Sequence, residues 1–389
     1  MSLKAKYSLQ IAIYKFHSAI VRRIKSTDSG ILYSLVALII FGVLLLTAAS
    51  PGASARIGVS ENFFITRQIM FLLLATVCMT VISMLDRVTI RRLALLGFIF
   101  NVLLLVVVKF YGYEIKGAKR WINILGVSLQ PSEFIKPFFF VLSGWVLSVK
   151  FDNNSFPAVT ISFVLYILVA LLLLIQPDIG MLLLISSSWM IQIFVCGMPF
   201  LVLAISGVVA LCAIWLSYIF LPHVAHRINS FLSGDISNNY QVSKSILAYE
   251  KGGLGGLGPG EGVIKHSLPD SHTDFIFAVA GEEFGSITCI IIVCLFAFII
   301  SRVLFLMTKE NDQYVVLSSL GIICSFAMQA VINISVTLNL MPTKGMTLPF
   351  ISYGGSSMIA MAINMGIILS FTRKKVNPYK YDILKSLQQ

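Results

Sequence analysis

The sequence predicts an all-α polytopic membrane protein, and three observations lead there. Of 389 residues, 57% are hydrophobic and only 12% charged, about half the charge of a soluble globular domain. Mean hydropathy is +0.90. Apolar runs of roughly 20 residues recur along the chain, each long enough to cross about 30 Å of hydrocarbon as a helix.

About ten such transmembrane helices can be placed, at roughly 31–49, 63–84, 93–110, 133–149, 157–175, 179–196, 199–221, 275–306, 315–339 and 348–371. The net charge of +12 gathers at the two ends. Lys4, Lys6, Lys15, Arg22, Arg23 and Lys25 precede the first span; Arg373, Lys374, Lys375, Lys380 and Lys385 follow the last. Flanking Lys and Arg stay inside, so both termini are expected in the cytoplasm, as an even span count requires. The loop 86–92 and the segment near Arg302, Lys309 and Asp312 fall on the same side.

This divides the chain into a basic N-terminal segment (1–30), a transmembrane domain (31–371) and a basic C-terminal tail (372–389). Leu9, Ile13, Phe16 and Ile20 recur at helical spacing in the first segment. An amphipathic helix on the membrane surface and a plain basic tail both satisfy that pattern. The small residues from Ala48 to Ala55 resemble a signal-peptide cleavage site. The apolar run before them is too long for one, and the first span is read as retained. Basic residues do not interleave with aromatic ones as a nucleic-acid platform needs, so no nucleic-acid partner is expected. The six cysteines lie in or beside apolar runs without C-x-x-C spacing and read as buried hydrophobes.

On this map the loops 50–62, 111–132, 176–178, 222–274 and 340–347 face outward, the largest lying between spans 7 and 8. Two of them carry Lys116, Lys119, Arg120, Lys251 and Lys265, against the positive-inside trend. An anionic ligand at the outer leaflet explains the exception.

Four constellations carry chemistry. In the first, Lys119 and Arg120 precede Gln130-Pro-Ser-Glu133 and Lys136. Pro131 suits the first turn of a helix, which sets Glu133 and Lys136 on one face, close enough to pair. That pair either stabilises the helix start or shapes a polar cavity beneath cations that hold phosphate oxygens. The second is Gln176-Pro-Asp178 in a tight turn, an ordinary turn composition. The third is the loop 222–274. His223 and His226 find no further ligands for a zinc site. Tyr240 to Ser245 begin a surface or re-entrant helix, and the glycines from Gly252 to Gly262 permit a sharp bend or close approach to a ligand. No Gly-Lys-Ser/Thr follows, so this is not a nucleotide loop. His272, Asp274, Glu282 and Glu283 then stand at the mouth of an apolar span, where ionisable groups usually mark a substrate path. Asp274 serves either as a general base or as a helix cap; one of the two glutamates is expected to face a cavity. The fourth is Pro342-Thr-Lys-Gly345 with Ser352-Tyr-Gly-Gly-Ser-Ser357, broken backbone of the kind that lines a wet cavity.

These motifs, with Gly117-Ala-Lys-Arg-Trp121 and Leu268-Pro-Asp-Ser-His-Thr-Asp-Phe-Ile-Phe277, resemble the SEDS family of bacterial envelope proteins (shape, elongation, division and sporulation). The resemblance covers nearly everything after residue 30. Departures are Met181 where the family commonly has Thr, Lys244 where it has Gln, and Asp270 where it has Glu. The resemblance implies a ten-span fold and a peptidoglycan glycosyltransferase that polymerises lipid II at the outer face of the cytoplasmic membrane. A sugar 4-hydroxyl attacks the anomeric carbon of an undecaprenyl-pyrophosphate-linked glycan, and the family's catalytic aspartate maps onto Asp274.

Such a reaction needs a base at the hydroxyl and positive charge at the leaving group. Arg67, Lys119, Arg120, Lys265 and Lys344 are the candidate cations. Gln130, Ser132, Glu133, Lys136, Asp178, His272, Glu283 and Ser352 complete the candidate substrate-binding set. A divalent cation, Mg or Mn, would assist the leaving group, yet the sequence offers no ligand cluster for one. The Thr-Lys-Gly motif points to the division-type branch, with the septum as its place and a class B penicillin-binding transpeptidase and other divisome membrane proteins as partners. The rival readings are a lipid-precursor flippase or transporter, a non-catalytic scaffold, and an elongation-type polymerase.

Overall fold

Aspartates begin four of the helices. Asp28, Asp86, Asp178 and Asp312 each accept a hydrogen bond from a first-turn amide, satisfying donors that a helix start leaves open. A computed structural model describes residues 26–115, 118–124, 126–220, 225, 229, 231 and 240–373. The proposed N-terminal amphipathic helix, the C-terminal tail beyond 373, Lys116, Gly117, His223 and His226 lie outside the described residues.

Ten helices follow the predicted spans in order: α1 (Ser29–Ile57), α2 (Phe63–Ser83), α3 (Arg87–Tyr111), α4 (Pro131–Asp152), α5 (Ala158–Ile175), α6 (Ile179–Val195), α7 (Phe200–Phe220), α9 (Ile276–Met307), α10 (Gln313–Thr337) and α11 (Gly355–Phe371). An eleventh, the amphipathic α8 (Tyr240–Gly252), lies in the segment between α7 and α9. Seven of the ten are long and apolar enough to span a membrane, and α6 and α11 are apolar but shorter. Nonpolar side chains cover the flanks of the bundle, among them Leu73, Leu96, Phe100 and Phe110, as expected of a multi-pass membrane protein facing lipid.

Four expectations are corrected. The predicted loop 86–92 is mostly helix, because the Asp86 cap starts α3 at Arg87. Helix α1 runs past the predicted end at 49, through Pro51, to Ile57. The predicted outer loop 111–132 carries short strands: β1 (Tyr113–Ile115), β2 (Ala118–Ile124) and β3 (Val127–Leu129) form an antiparallel sheet in the order β1-β2-β3. The last span starts at Gly355, not 348. Pro349 cannot donate a helical hydrogen bond, Phe350 has φ 63°, and the Ser352 hydroxyl takes the Leu348 amide at 2.8 Å.

The long eighth span is broken. Gly285 has φ 78° and ψ 174°, which splits α9 into 276–284 and 286–307. The orphaned backbone groups are taken by the glycine-rich loop that follows α8. Leu257 N and Gly258 N donate to the carbonyls of Glu282 and Glu283, each at 3.0 Å. Ser286 N and Ile287 N donate in turn to Gly253 O and Leu254 O. A side chain at Gly252, Gly256 or Gly285 would strike the facing backbone. The loop's glycines therefore serve close approach to a helix, where the sequence allowed approach to a ligand.

Helices α4 and α10 form the centre. α10 packs on α4, α6 and α9, and α11 packs on α2 and α4. Their contact surfaces include Ile135, Phe139, Phe140, Leu317, Ile322 and Phe326, all essentially inaccessible.

Gly285→Ala should cost more than the roughly 1–3 kcal/mol of its glycine-only backbone conformation alone, because the methyl group also meets the loop carbonyl of Leu254. A drop of several degrees in the thermal midpoint of detergent-purified protein is the expected outcome; an unchanged midpoint would contradict the described break.

Candidate active site

The site forms where three irregular segments meet: the turn 268–275 ahead of α9, the loop 338–354 between α10 and α11, and the sheet 113–129. In the first, Thr273 N and Phe275 N both donate to Asp270 O at 3.1 Å, which fixes a tight turn with Asp270 at φ 53°. The N-cap of α9 is Phe275, which makes no side-chain cap bond. Asp274 is thus not the N-cap; it stands one residue ahead. Its carboxylate lies against the loop at Gly345, where an added Cβ would come within 2.8 Å of Oδ2.

Asp274 borders a cavity of about 580 Å³. Arg67, Arg120 and Lys344 bring positive charge to its wall, and Glu133, Asp178, Asp270 and Asp274 bring negative charge. Gln130, Gln241, Tyr353 and Ser357 add neutral polar groups, and Met70, Phe71, Met181 and Met346 an apolar side. Such a mixture suits an amphiphile with a charged head.

Each cation is held differently. The Arg67 guanidinium lies 4.4 Å from the centre of the Phe63 ring and hydrogen-bonds Tyr353. Arg120 donates through Nε to Gln176 O and through Nη2 to Pro177 O, which leaves part of its five-donor fork for a ligand. Lys344 Nζ donates to Asp178 Oδ1 at 3.1 Å. Burial alone would raise the Asp178 carboxyl, but Lys344 and Arg120 beside it hold it below its ordinary value.

Beneath the cavity Lys136, fully buried, donates to Glu133 Oε2 at 2.7 Å and to Gln329 Oε1 at 2.6 Å. The pair expected from the i, i+3 spacing is present, with a third partner that the spacing did not supply. Ser132 links Gln130 to Asp178, accepting from the first at 3.1 Å and donating to the second at 3.3 Å.

Other predicted residues stand elsewhere. Lys119 is exposed and lines a second, smaller hollow with Lys109 and Glu114. Lys265 is buried in an ion pair with Glu283 and also donates to Gly260 O at 3.0 Å. Glu282 accepts from the amides of Ile264 and Lys265. Both glutamates therefore anchor the glycine-rich segment, and neither lines the cavity. His272 packs between Phe64 and Tyr353, their ring centres 4.3 and 5.7 Å away. Burial lowers its pKa to about 4, with Asp270 opposing that shift and Arg56 adding to it. Ser352 donates to Thr273 O at 2.6 Å, holding backbone where a substrate contact was expected.

Sequence reading missed Gln329, Asn333 and Thr337, buried polar residues one turn apart on α10. Polar residues at i, i+4 and i+8 inside an apolar span were the available signal. Among the described residues no cluster of three or more metal-ligating side chains occurs.

A family model described as "Cell cycle protein" (FTSW_RODA_SPOVE) matches residues 29–377. The chain belongs to the FtsW/RodA/SpoVE family. It is 41% identical over 355 residues to the "Probable peptidoglycan glycosyltransferase FtsW" of Caulobacter vibrioides, covering 91% of each chain. Its identity to the relative of the same name from Trichlorobacter lovleyi is 34%, over 90% of this chain and 94% of that one. A solved structure described as "Structural coordination of polymerization and crosslinking by a peptidoglycan synthase complex" superposes with a TM-score of 0.74. At 25% identity it covers 89% of this chain and 97% of its own. The rod shape determining protein RodA of Thermus thermophilus gives a TM-score of 0.65 at 25% identity, over 90% and 98% of the two chains.

The Glu133–Lys136 pair separates structural from cavity roles. Removing one partner leaves the other charge buried, and a destabilisation of about 3–5 kcal/mol is expected for Lys136→Met. The double replacement Glu133→Leu/Lys136→Met should regain much of that stability in a thermal melt. Polymerisation activity that returns with it would mark the pair as purely structural; we expect activity to stay low, because Glu133 lines the cavity.

Proposed function

We propose that this family member is a division-type peptidoglycan glycosyltransferase that polymerises lipid II. One observation carries the chemistry: a carboxylate, Asp274, shares a cavity with three cations, Arg67, Arg120 and Lys344, at one end of the bundle. Both relatives named above are called probable peptidoglycan glycosyltransferases, and the family match runs through every segment that builds the cavity.

In the reaction, Asp274 accepts the proton of the acceptor's 4-hydroxyl as the oxygen bonds to the donor's anomeric carbon. The bond from that carbon to the pyrophosphate oxygen breaks, and undecaprenyl pyrophosphate departs with the electron pair. Arg67, the unoccupied part of the Arg120 fork and Lys344 receive the developing negative charge. For Lys344 this means exchanging Asp178 for the phosphate, a swap between two oxyanions that leaves the ammonium paired throughout. The apolar wall of Met70, Phe71 and Met181 accepts the first isoprenoid units. A divalent cation, Mg or Mn, would share the pyrophosphate charge if one were bound, and Asp178 and Asp270 are carboxylates of the cavity wall that could hold it.

Basic ends and an even span count support a cavity at the outer face of the cytoplasmic membrane. The solved complex whose description pairs polymerization with crosslinking supports a class B penicillin-binding transpeptidase as partner, and the relatives' name supports the division septum.

Asp274→Asn keeps the shape of the side chain and removes its basicity. Incubated with labelled lipid II, purified wild-type protein should yield glycan polymer, and Asp274→Asn at least about 10²-fold less at equal folded concentration. Near-normal polymer from the variant would remove Asp274 from the role of base. A fluorescent fusion should concentrate at midcell in dividing cells; labelling spread evenly along the side wall would favour the elongation role.

A further inference from the structure

Three consecutive carbonyls around Asp274 are each held, the first two by neighbouring residues of the loop before α11 and the third by α10. His272 O accepts from Tyr353 N at 2.9 Å. Thr273 O accepts from the Ser352 hydroxyl. Asp274 O accepts from Asn333 Nδ2 at 2.9 Å. The same Asn333 nitrogen donates to Met346 O at 2.6 Å, so one side-chain amide uses both its hydrogens to tie the turn at 274 to the loop at 346.

The orientation of that amide has no alternative. Turned over, it would set its oxygen against two carbonyl oxygens, and no hydrogen would lie between them. Asn333 is essentially buried, at 1% exposed, and its Oδ1 has no hydrogen-bond partner. Leaving a buried acceptor unpaired is destabilising, which a residue placed only for packing would avoid; Leu would fill the same space.

The surroundings show what the two bonds position. Gly345 leaves room beside the Asp274 carboxylate that a Cβ would fill, and Met346 follows it directly. Fixing Asp274 O and Met346 O to one nitrogen thus sets the separation between the carboxylate's own backbone and the strand against which it rests. One turn earlier, Gln329 donates to Thr347 O at 3.0 Å and accepts from Lys136, tying the same loop to the cavity floor. One turn later, Thr337 O accepts from Ser245 of α8 at 2.7 Å, and Thr337 Oγ1 accepts from Tyr249 at 2.9 Å.

We propose that Asn333 is a positioning residue for the glycosyl transfer: by bonding Asp274 O and Met346 O together it aims the Asp274 carboxylate into the cavity. The proposal rests on the reading of Asp274 as the base. Asn333 itself does not border the cavity and touches no substrate. Its loss should leave binding intact and misplace the base, and a displacement of about 1 Å from such a site can cost on the order of 10²-fold in rate.

The test compares full-length wild type, Asn333→Leu, Asp274→Asn and the double variant in a lipid II polymerisation assay that separates kcat from KM. Asn333→Leu should lower kcat 10- to 100-fold with KM changed less than twofold. Placed on Asp274→Asn it should reduce the residual rate less than twofold, because a positioning residue has nothing left to position. Should Asn333→Leu not insert, Asn333→Ala takes its place in the same cycle, since Ala fits any helix interior. A kcat within twofold of wild type, or an equal loss in both backgrounds, would overturn the proposal while Asp274→Asn still reports a base. Wild-type rates from Asp274→Asn would overturn the base reading first, and this proposal with it.

Discussion

A helix that stops at membrane depth must pass its hydrogen bonds to something else, and the site end of this molecule is arranged around that constraint. At Gly285 the ladder of α9 is interrupted, and lipid offers no replacement donors or acceptors. The glycine-rich loop supplies them from Gly253, Leu254, Leu257 and Gly258. Once the loop is docked, Lys265 and Glu282 follow, because the Glu282 carboxylate collects the Ile264 and Lys265 amides. The short first half of α9 is thereby held with its N-terminus just beyond Asp274. Without the break, 276–284 would continue along the axis of a straight span.

Charge in the interior obeys the same economy of pairing. Lys136 lies against Glu133, Lys265 against Glu283 and Lys344 against Asp178, since an isolated ammonium or carboxylate in a low-dielectric interior costs several kcal/mol. The three pairs differ in what borders them. Lys265–Glu283 is sealed on both sides. Lys136–Glu133 is sealed on the lysine side and open to the cavity on the other. Lys344–Asp178 has its lysine 20% exposed, and both partners line the cavity. The graded access explains how one bundle end holds so many ions and still presents a few of them to a ligand.

Much of this was legible in the chain. Ten apolar runs gave ten helices, Pro131 gave the start of α4 and with it the Glu133–Lys136 pair, and Tyr240 to Ser245 gave α8. The sheet at 113–129 was not legible, because its strands are three to seven residues long and its alternation is interrupted by Lys119 and Arg120, of which Arg120 lines the cavity. Position along the chain could not tell Lys265 from Lys344, since both lie in polar loops; only packing reveals that one faces Glu283 and the other the cavity. The break in α9 was hidden for a related reason. A single glycine in a long apolar run is tolerated in straight helices too, and the loop that completes it lies some thirty residues earlier.

The stripe of Gln329, Asn333 and Thr337 has a consequence for how this chain can change over generations. Its members hold α4, the loop after α10, the turn before α9 and α8, all through spacing of four residues along one helix face. Inserting or deleting a single residue between them would rotate one group about 100° away from the others. Substitutions can drift through the lipid-facing side of α10, where only nonpolar character is required. Length cannot drift between Gln329 and Thr337: that stretch is locked in register, and insertions are confined to the loops beyond it.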